Sequence, residues 1–482
     1  ECLEMDKEWY RRSLQREGEA EERDLGGTCL NRGCIPSKAL ITATHTIDTV
    51  HRAAELGVNA SVNGIDFGTL RDYRLRVVKT MVGGLAGLLA HRGITVFRAN
   101  AAFHADETAP ATSNHIVHLV PSPDQSDILT YHKADVPEPS GPTMDLTATN
   151  IVIATGAKPR PLPGNPFAGA LIDSTQALEV NEFPSSAVII GAGAIALEFA
   201  SMWNAAGSKV TLLIRKDRVL SAWDRRAGTT LTRELKRHGV NIITRASVTH
   251  VDTGANLGAT VHYTREGQDG EQSVWGEIAL VAIGRDPITD PAWGVTIDDH
   301  GHVATDAYGR TDKPGVWAVG DVTAGHALAH RAFEQGIVIA ETIAGLNPKP
   351  VDEATVPQIV FSFPEAASVG LTVEQAQARE DLIEIKETNY PMLANARMLM
   401  SGTAGSLTIV SGCDAANPDT PRVLGVHMVS QMASDIIAEA EQLVGNHVPL
   451  ADAARLVHPH PTFSETLGEA LLKADGRPLH TR

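Results

Sequence analysis

A chain of 482 residues exceeds what one hydrophobic core organises, so two to four domains are expected. Its formal charge of −17, without any basic stripe, argues against a nucleic-acid binder, and no apolar run is long enough to span a bilayer. No secretory signal is recognisable, and Cys2 and Cys413 stand alone among four cysteines, which excludes an extracellular disulfide scaffold and fits a reducing cytoplasm.

Residues 1–24 open on Glu1 and run through a charged stretch, Arg11 to Arg23, that reads as solvated helix or disorder. Next comes Gly26-Gly27-Thr28-Cys29-Leu30-Asn31-Arg32-Gly33-Cys34-Ile35-Pro36-Ser37-Lys38. An ideal helix would hold Cys29 and Cys34 too far apart for a disulfide, so a bridge needs an irregular turn, which Gly33 permits. Pro36 suits the first turn of a helix continuing through Ala39 and Leu40, which puts Cys34 just outside the helix N-terminus. There the dipole and free N–H groups favour the thiolate. A thiol pair with one activated member is equipped for dithiol–disulfide exchange. A purely structural bridge is the alternative.

Residues 37–57 and 69–92 carry apolar residues at helical spacing, among them Leu70, Tyr73, Val77, Met81, Leu85 and Leu88. Between Ala105 and Thr149 the composition turns to Asp, Ser, Thr and Pro, which predicts loop or hairpins with a flexible insert. A buried strand is predicted at Val188-Ile189-Ile190, a tight turn at Gly191-Ala192-Gly193-Ala194-Ile195-Ala196 and a helix from Leu197 to Ala206, stopped at Gly207. With a second strand, Lys209 to Ile214, at the right interval, this arrangement predicts a dinucleotide site on Gly191 and Gly193. An acid at the second strand's end would accept hydrogen bonds from a ribose 2′-hydroxyl, but the position is apolar Ile214, followed by Arg215, Lys216 and Arg218. An arginine fork can hold a 2′-phosphate, so the expectation leans toward NADPH. Near the C-terminus stands His458-Pro459-His460-Pro461-Thr462-Phe463-Ser464-Glu465, then an apolar-periodic helix through Leu472. The prolines hold His460 on an extended lead-in. His460 is the candidate proton acceptor for a thiol, with Glu465 fixing its tautomer. Thr462-x-x-Glu465 is also a capping box, which leaves a structural alternative for Glu465.

The segment around Cys29 and Cys34 closely resembles the redox segment of the flavin-dependent pyridine-nucleotide disulfide oxidoreductases, and matches recur in family order over residues 21–482. They include Asn150 to Ala157, with the turn Ala154-Thr155-Gly156; Leu280 to Pro287, as a return strand; and Thr311 to Asp321, continued by Leu328-Ala329-His330-Arg331-Ala332. From Val351, Thr355-Val356-Pro357 and Phe363 to Thr372 resemble the start of the family's interface domain. The resemblance implies an α/β chain with two Rossmann-like dinucleotide-binding domains and a C-terminal α+β dimerisation domain. The divisions expected are 1–164 and 285–350 for the two flavin segments, 165–284 for the nicotinamide domain and 351–482 for the interface.

Carried over, the resemblance implies an enzyme passing electrons between NAD(P)(H), FAD, a Cys29–Cys34 disulfide and a dithiol such as dihydrolipoamide. Cys34 would lie beside the flavin, Cys29 would be the interchange thiol, and His460, with Glu465, would act from the other subunit of a homodimer. Lys38 and Glu198 would pair near flavin and nicotinamide, while Thr155, Gly156, Gly284, Asp321 and Ala329 fall in flavin-binding stretches. The Cys-Leu-Asn-Arg-Gly-Cys and His-Pro-His-Pro wording is nearest dihydrolipoyl dehydrogenase, with His458 supporting rather than catalytic. Arg215 and Ala196 lean instead toward an NADPH-dependent reductase of a low-molecular-weight disulfide. Before the cysteines, however, no Gly-x-Gly-x-x-Gly turn is found, so the first βαβ unit is expected to be missing or replaced. Glu21 or Glu22 is then a weak match to the ribose acid. On that ground the chain is expected to bind FAD poorly, and a flavin-free, non-catalytic remnant is a third reading.

Overall fold

The computed structural model describes residues 25–104, 115–123, 125–131, 137–254 and 258–481. The expectations for residues 1–24 lie outside the described residues.

Five parallel strands form the central sheet, in the order Asn241–Thr244, Lys209–Ile214, Ser186–Ile190, Ile278–Val281, Leu171–Ile172. Parallel sheets are covered on both faces, and the unbroken apolar runs of the two middle strands reflect that. Helix Ala194–Ala205 covers one face with Leu197, Phe199 and Trp203, all buried. The other face is closed by an antiparallel meander, Ala246–Asp252, Ala259–Arg265 and Gln272–Gly276, through Val261 and Tyr263. The helix starts at Ala194 rather than Leu197, because Gly193 is its N-cap and Ala194 to Ala196 are its first turn. Leu280 to Pro287 is not a single return strand. Its first two residues finish the strand Ile278–Val281, and after Gly284 the strand Arg285–Pro287 pairs with Ala157–Pro159.

The redox segment lies before this unit. Helices Gly27–Arg32 and Cys34–Arg52 meet at Gly33, and Cys34–Arg52 packs on both Phe67–His91 and Ala194–Ala205. Helix Phe67–His91 meets the apolar-spacing expectation in part, with Leu70, Tyr73, Val77 and Leu85 half-buried and Leu70 packed on the core. Its buried residue is Arg74, whose guanidinium hydrogen-bonds the Leu178 carbonyl and pairs with Glu179, while Met81 and Leu88 are exposed. The segment expected as loop or hairpins forms hairpins. Strands Asn100–Phe103, His115–Val120 and Met144–Ala148 make one antiparallel sheet, and Val96–Arg98, Leu129–Tyr131 and Pro137–Pro139 another. The proline-bearing strand is at an edge, where a missing N–H does least harm. Ile151–Ile153 and Val316–Ala318 pair in parallel, and helix Ala329–Ile343 follows.

Residues 358–474 form an antiparallel five-stranded sheet, order Gln358–Val360, Glu365–Gly370, Asn417–Ser430, Ser406–Asp414, Leu382–Tyr390, with helices Ala433–Gly445 and Glu465–Ala474 packed on it. No described helix is long and apolar enough to cross a membrane.

Candidate active site

Gly33 allows the two cysteine-bearing helices to meet. A Cβ there would stand 2.9 Å from the Thr28 carbonyl oxygen and 3.4 Å from the Cys29 Cα, so any larger residue would push the segments apart. Cys34 is the first residue of its helix, not the residue before it, and the N-terminus has no side-chain cap. The first N–H groups of the helix are therefore uncapped, and the Cys34 backbone N–H itself favours the thiolate. Both thiols are unbonded, Cys34 exposed and Cys29 half-buried. The hydrogen bond between them holds Cys34 down to about 7, with help from the Lys38 charge and against burial and Glu198. The same bond, with burial, pushes the Cys29 thiol well up, so the shared proton stays on Cys29.

Lys38, one helical turn after Cys34, donates from Nζ to Glu198 Oε2 at 2.7 Å and lies 4.5 Å from the centroid of the Phe361 ring. Glu198 is buried on helix Ala194–Ala205, and its Oε1 accepts from the Phe361 N–H at 3.2 Å. The Lys38–Glu198 pair thus joins the cysteine helix, the helix on the parallel sheet and the turn after the first strand of the last sheet.

The dinucleotide turn fits a pyrophosphate. Gly191 has φ 141°, and a Cβ on it would lie 2.2 Å from the Ala282 carbonyl oxygen. Gly193 caps helix Ala194–Ala205 without any side-chain hydrogen bond, leaving the N–H groups free for an anion. Arg215, exposed just past Ile214, has neither hydrogen bond nor ion pair among the described residues.

At the other sheet, Asp321 lies in the turn Gly320–Val322 after the strand Val316–Ala318. Burial raises its pKa although Arg285 and Arg331 oppose the shift, and its carboxylate accepts no hydrogen bond among the described residues. Arg285 Nε, 4.0 Å away, is buried without a hydrogen-bond partner. An orphaned acceptor beside an orphaned donor fits the hydroxyl-rich chain of a flavin cofactor. Ala329 opens helix Ala329–Ile343 at an N-terminus that likewise lacks a side-chain cap. Gly156, at φ 72°, and Thr155 are tied to Ile288: the Gly156 carbonyl accepts the Ile288 N–H at 2.9 Å, and the Thr155 hydroxyl donates to the Ile288 carbonyl at 2.6 Å. Gly284, at φ 129°, accepts the Arg160 N–H.

The histidine group is separate, and no hydrogen bond or ion pair joins it to the cysteines among the described residues. His460, 72% exposed, meets Glu465 Oε2 through Nδ1 at 2.8 Å, which leaves Nε2 to solvent. The capping box is half-formed. Thr462 Oγ1 accepts the Glu465 N–H at 3.3 Å, but the Glu465 carboxylate takes its bonds from His460 and from Asn395 Nδ2, at 2.8 Å. Asn395, buried, also donates to the Thr462 carbonyl and accepts the Met398 N–H, capping helix Ala396–Ser401. Sequence reading missed it, 70 residues before Glu465; its only local signal is as an N-cap. His458 is nearly buried against Glu439, Nε2 to Oε1 2.8 Å, and cannot reach a substrate as His460 can.

Comparisons with known proteins bear on the family and the fold. The family described as pyridine nucleotide-disulphide oxidoreductase matches residues 14–336, and its dimerisation domain matches residues 356–471. A dihydrolipoyl dehydrogenase of Geobacillus stearothermophilus is 33% identical over 465 residues, covering 95% of this chain and 91% of the relative. One from Chlamydia pneumoniae is 32% identical over 466 residues, covering 95% and 92%. Among solved structures, LpdA from Mycobacterium tuberculosis superposes with a TM-score of 0.79 at 23% identity, covering 97% of this chain and 96% of that one. The HOCl-induced flavoprotein disulfide reductase RclA from Escherichia coli gives 0.71 at 23% identity, with 97% and 96% covered. Those two likenesses concern the fold.

Proposed function

The chain belongs to the pyridine nucleotide-disulphide oxidoreductase family and is an enzyme of the dihydrolipoyl dehydrogenase type, and from that premise we propose that it oxidises a small dithiol such as dihydrolipoamide at Cys29 and Cys34. Family members use FAD and NAD(P). Here Asp321, Arg285, Gly156 and Ala329 would hold the flavin, and Gly191, Gly193 and Arg215 the nicotinamide coenzyme. When bound, the two cofactors carry the electron pair between the cysteines and solution.

The remaining steps belong to side chains. His460 Nε2, its other nitrogen engaged by Glu465, takes the proton from one substrate thiol. The thiolate attacks Sγ of Cys29 in the Cys29–Cys34 disulfide, so that a mixed disulfide forms and Cys34 leaves as thiolate. The second substrate thiol attacks the sulfur joined to Cys29, which closes the product disulfide and returns Cys29 as a thiol. Two electrons pass from substrate to the cysteines; one substrate proton is left on Cys29 and one on His460. The polarity needed at the end is a proton on Cys29, which the pair's hydrogen bond and burial favour, and a charge on Cys34, which the same hydrogen bond and Lys38 favour, and this observation carries the proposal. His460 is expected to serve the cysteines of a second copy, consistent with the dimerisation domain.

Cys29→Ser tests the reading. It should abolish turnover of dihydrolipoamide, and unchanged turnover removes Cys29 from the reaction. A second coenzyme reading, NADPH over NADH, rests on the unpartnered Arg215. Arg215→Glu should erode that preference, and equal kcat/KM for the two coenzymes in the parent chain counts against it.

A further inference from the structure

On the solvent face of the meander that closes the nicotinamide domain, two histidines lie between two carboxylates. His250 and His262 are directly opposite on neighbouring antiparallel strands, their rings stacked at 4.1 Å with 8° between planes. Asp252, two residues beyond His250 on the same face, meets both rings at Nε2: 3.0 Å to His262 and 3.9 Å to His250. Glu271 meets both at Nδ1: 3.6 Å to His262 and 3.7 Å to His250. Strand periodicity alone would not bring them together. Val248 pairs with Tyr263 and faces the core, so in a regular strand His250 would oppose Val261 and point inward. A bulge at Thr249 inserts one residue, and His250 and Asp252 turn to the face of His262. Thr249 Oγ1, in turn, donates to Glu271 Oε1 at 2.6 Å.

We propose that His250, Asp252 and His262 form a binding site for a divalent transition metal ion, zinc(II) being the probe of choice, with Glu271 orienting both imidazoles. The donors are right for such an ion, since imidazole with carboxylate suits zinc and copper better than magnesium or calcium. Their ligand atoms lie within 4.8 Å of one another, against about 3.3 Å between ligands at zinc–ligand distances of ~2.0–2.1 Å in a tetrahedron. Exposed side chains on a bulged strand can close that gap by small rotations. Glu271, 3.6 and 3.7 Å from the two Nδ1 atoms, needs to close by only about half an ångström to give, with the ion at Nε2, the carboxylate–histidine–metal arrangement that fixes the tautomer and raises ligand basicity. Water completes the coordination. The site belongs to neither the cysteine pair nor the dinucleotide turn.

Equilibrium dialysis of the full chain against micromolar zinc(II) tests this, using a Cys29→Ser/Cys34→Ser background so that the redox thiols do not compete for metal. One zinc per chain is expected. It should be lost in His262→Ala and in His250→Gln, the second variant serving if the first does not fold. Glu271→Gln should weaken binding about 10–100-fold, as loss of an outer-shell partner does. No zinc retained by the background chain, or undiminished zinc in both histidine variants, overturns the assignment.

Discussion

Removing the Cys29 sulfur should switch off the Cys34 thiolate. The hydrogen bond from Cys29 is the largest influence holding Cys34 to about 7, while burial and Glu198 push it up. At about 7, roughly half of Cys34 is thiolate at neutral pH; an ordinary thiol near ~8.5 would be only ~3% thiolate. In Cys29→Ala the opposing influences remain, countered by Lys38 and, more weakly, by the Cys34 backbone N–H, so the titration midpoint should rise to the ordinary range. Alkylation of Cys34 by iodoacetamide at neutral pH should then slow roughly 15-fold, the ratio of those thiolate fractions. The assay is alkylation rate against pH, followed by mass spectrometry of the Cys34 peptide in reduced protein. Two companions fix the sign of each influence. Lys38→Met should raise the midpoint by less than Cys29→Ala does, and Glu198→Gln should lower it, because that charge opposes the thiolate. A Cys29→Ala midpoint still near neutrality, or a Glu198→Gln midpoint moved upward, refutes the reasoning.

Asn395→Ala removes a hydrogen bond to an ionised carboxylate, ~1.5–3 kcal/mol, and an N-cap of ~1 kcal/mol. It should destabilise the chain by about 2–4 kcal/mol in urea and shift the pH profile of kcat, while leaving the Cys34 alkylation midpoint unmoved. The hydrogen bond to Glu439 raises His458, so its stabilisation is full below the unfolded histidine value of about 6.5 and is lost as pH rises through the higher folded value. The stability gap between parent and Glu439→Gln should therefore be wider at acidic than at alkaline pH, and a gap independent of pH contradicts this. Gly468→Ala should lower Tm although alanine is the better helix former by ~1 kcal/mol, since its Cβ would come within 2.3 Å of His458 Nδ1. A raised Tm would show that His458 yields easily.

Local chemistry was readable from sequence where one short segment holds all the parts. The turn at Gly191 follows a strand and opens a helix within a dozen residues, and its glycine is demanded by the Ala282 carbonyl it approaches. The cysteine segment and His460 with Glu465 are similarly compact. What was missed depends on distant partners. Asn395 reads as an ordinary polar residue until the last helix brings Glu465 to it. The apolar stripe of Phe67–His91 is half-buried at Leu70, Tyr73, Val77 and Leu85, but its fully buried neighbour is Arg74, made tolerable by Leu178 and Glu179 far along the chain. Leu280 to Pro287 looked like one strand because its apolar and proline halves adjoin, whereas Gly284 turns the chain between two sheets. The bulge at Thr249 likewise shows only in the pairing register.

The most direct test of the central claim is a thiol count on the denatured chain before and after anaerobic reduction of the oxidised protein by one equivalent of NADPH or NADH. Two new thiols per chain, both mapping to Cys29 and Cys34, are predicted. No gain with either coenzyme, or a gain that persists in Cys29→Ser, would contradict it.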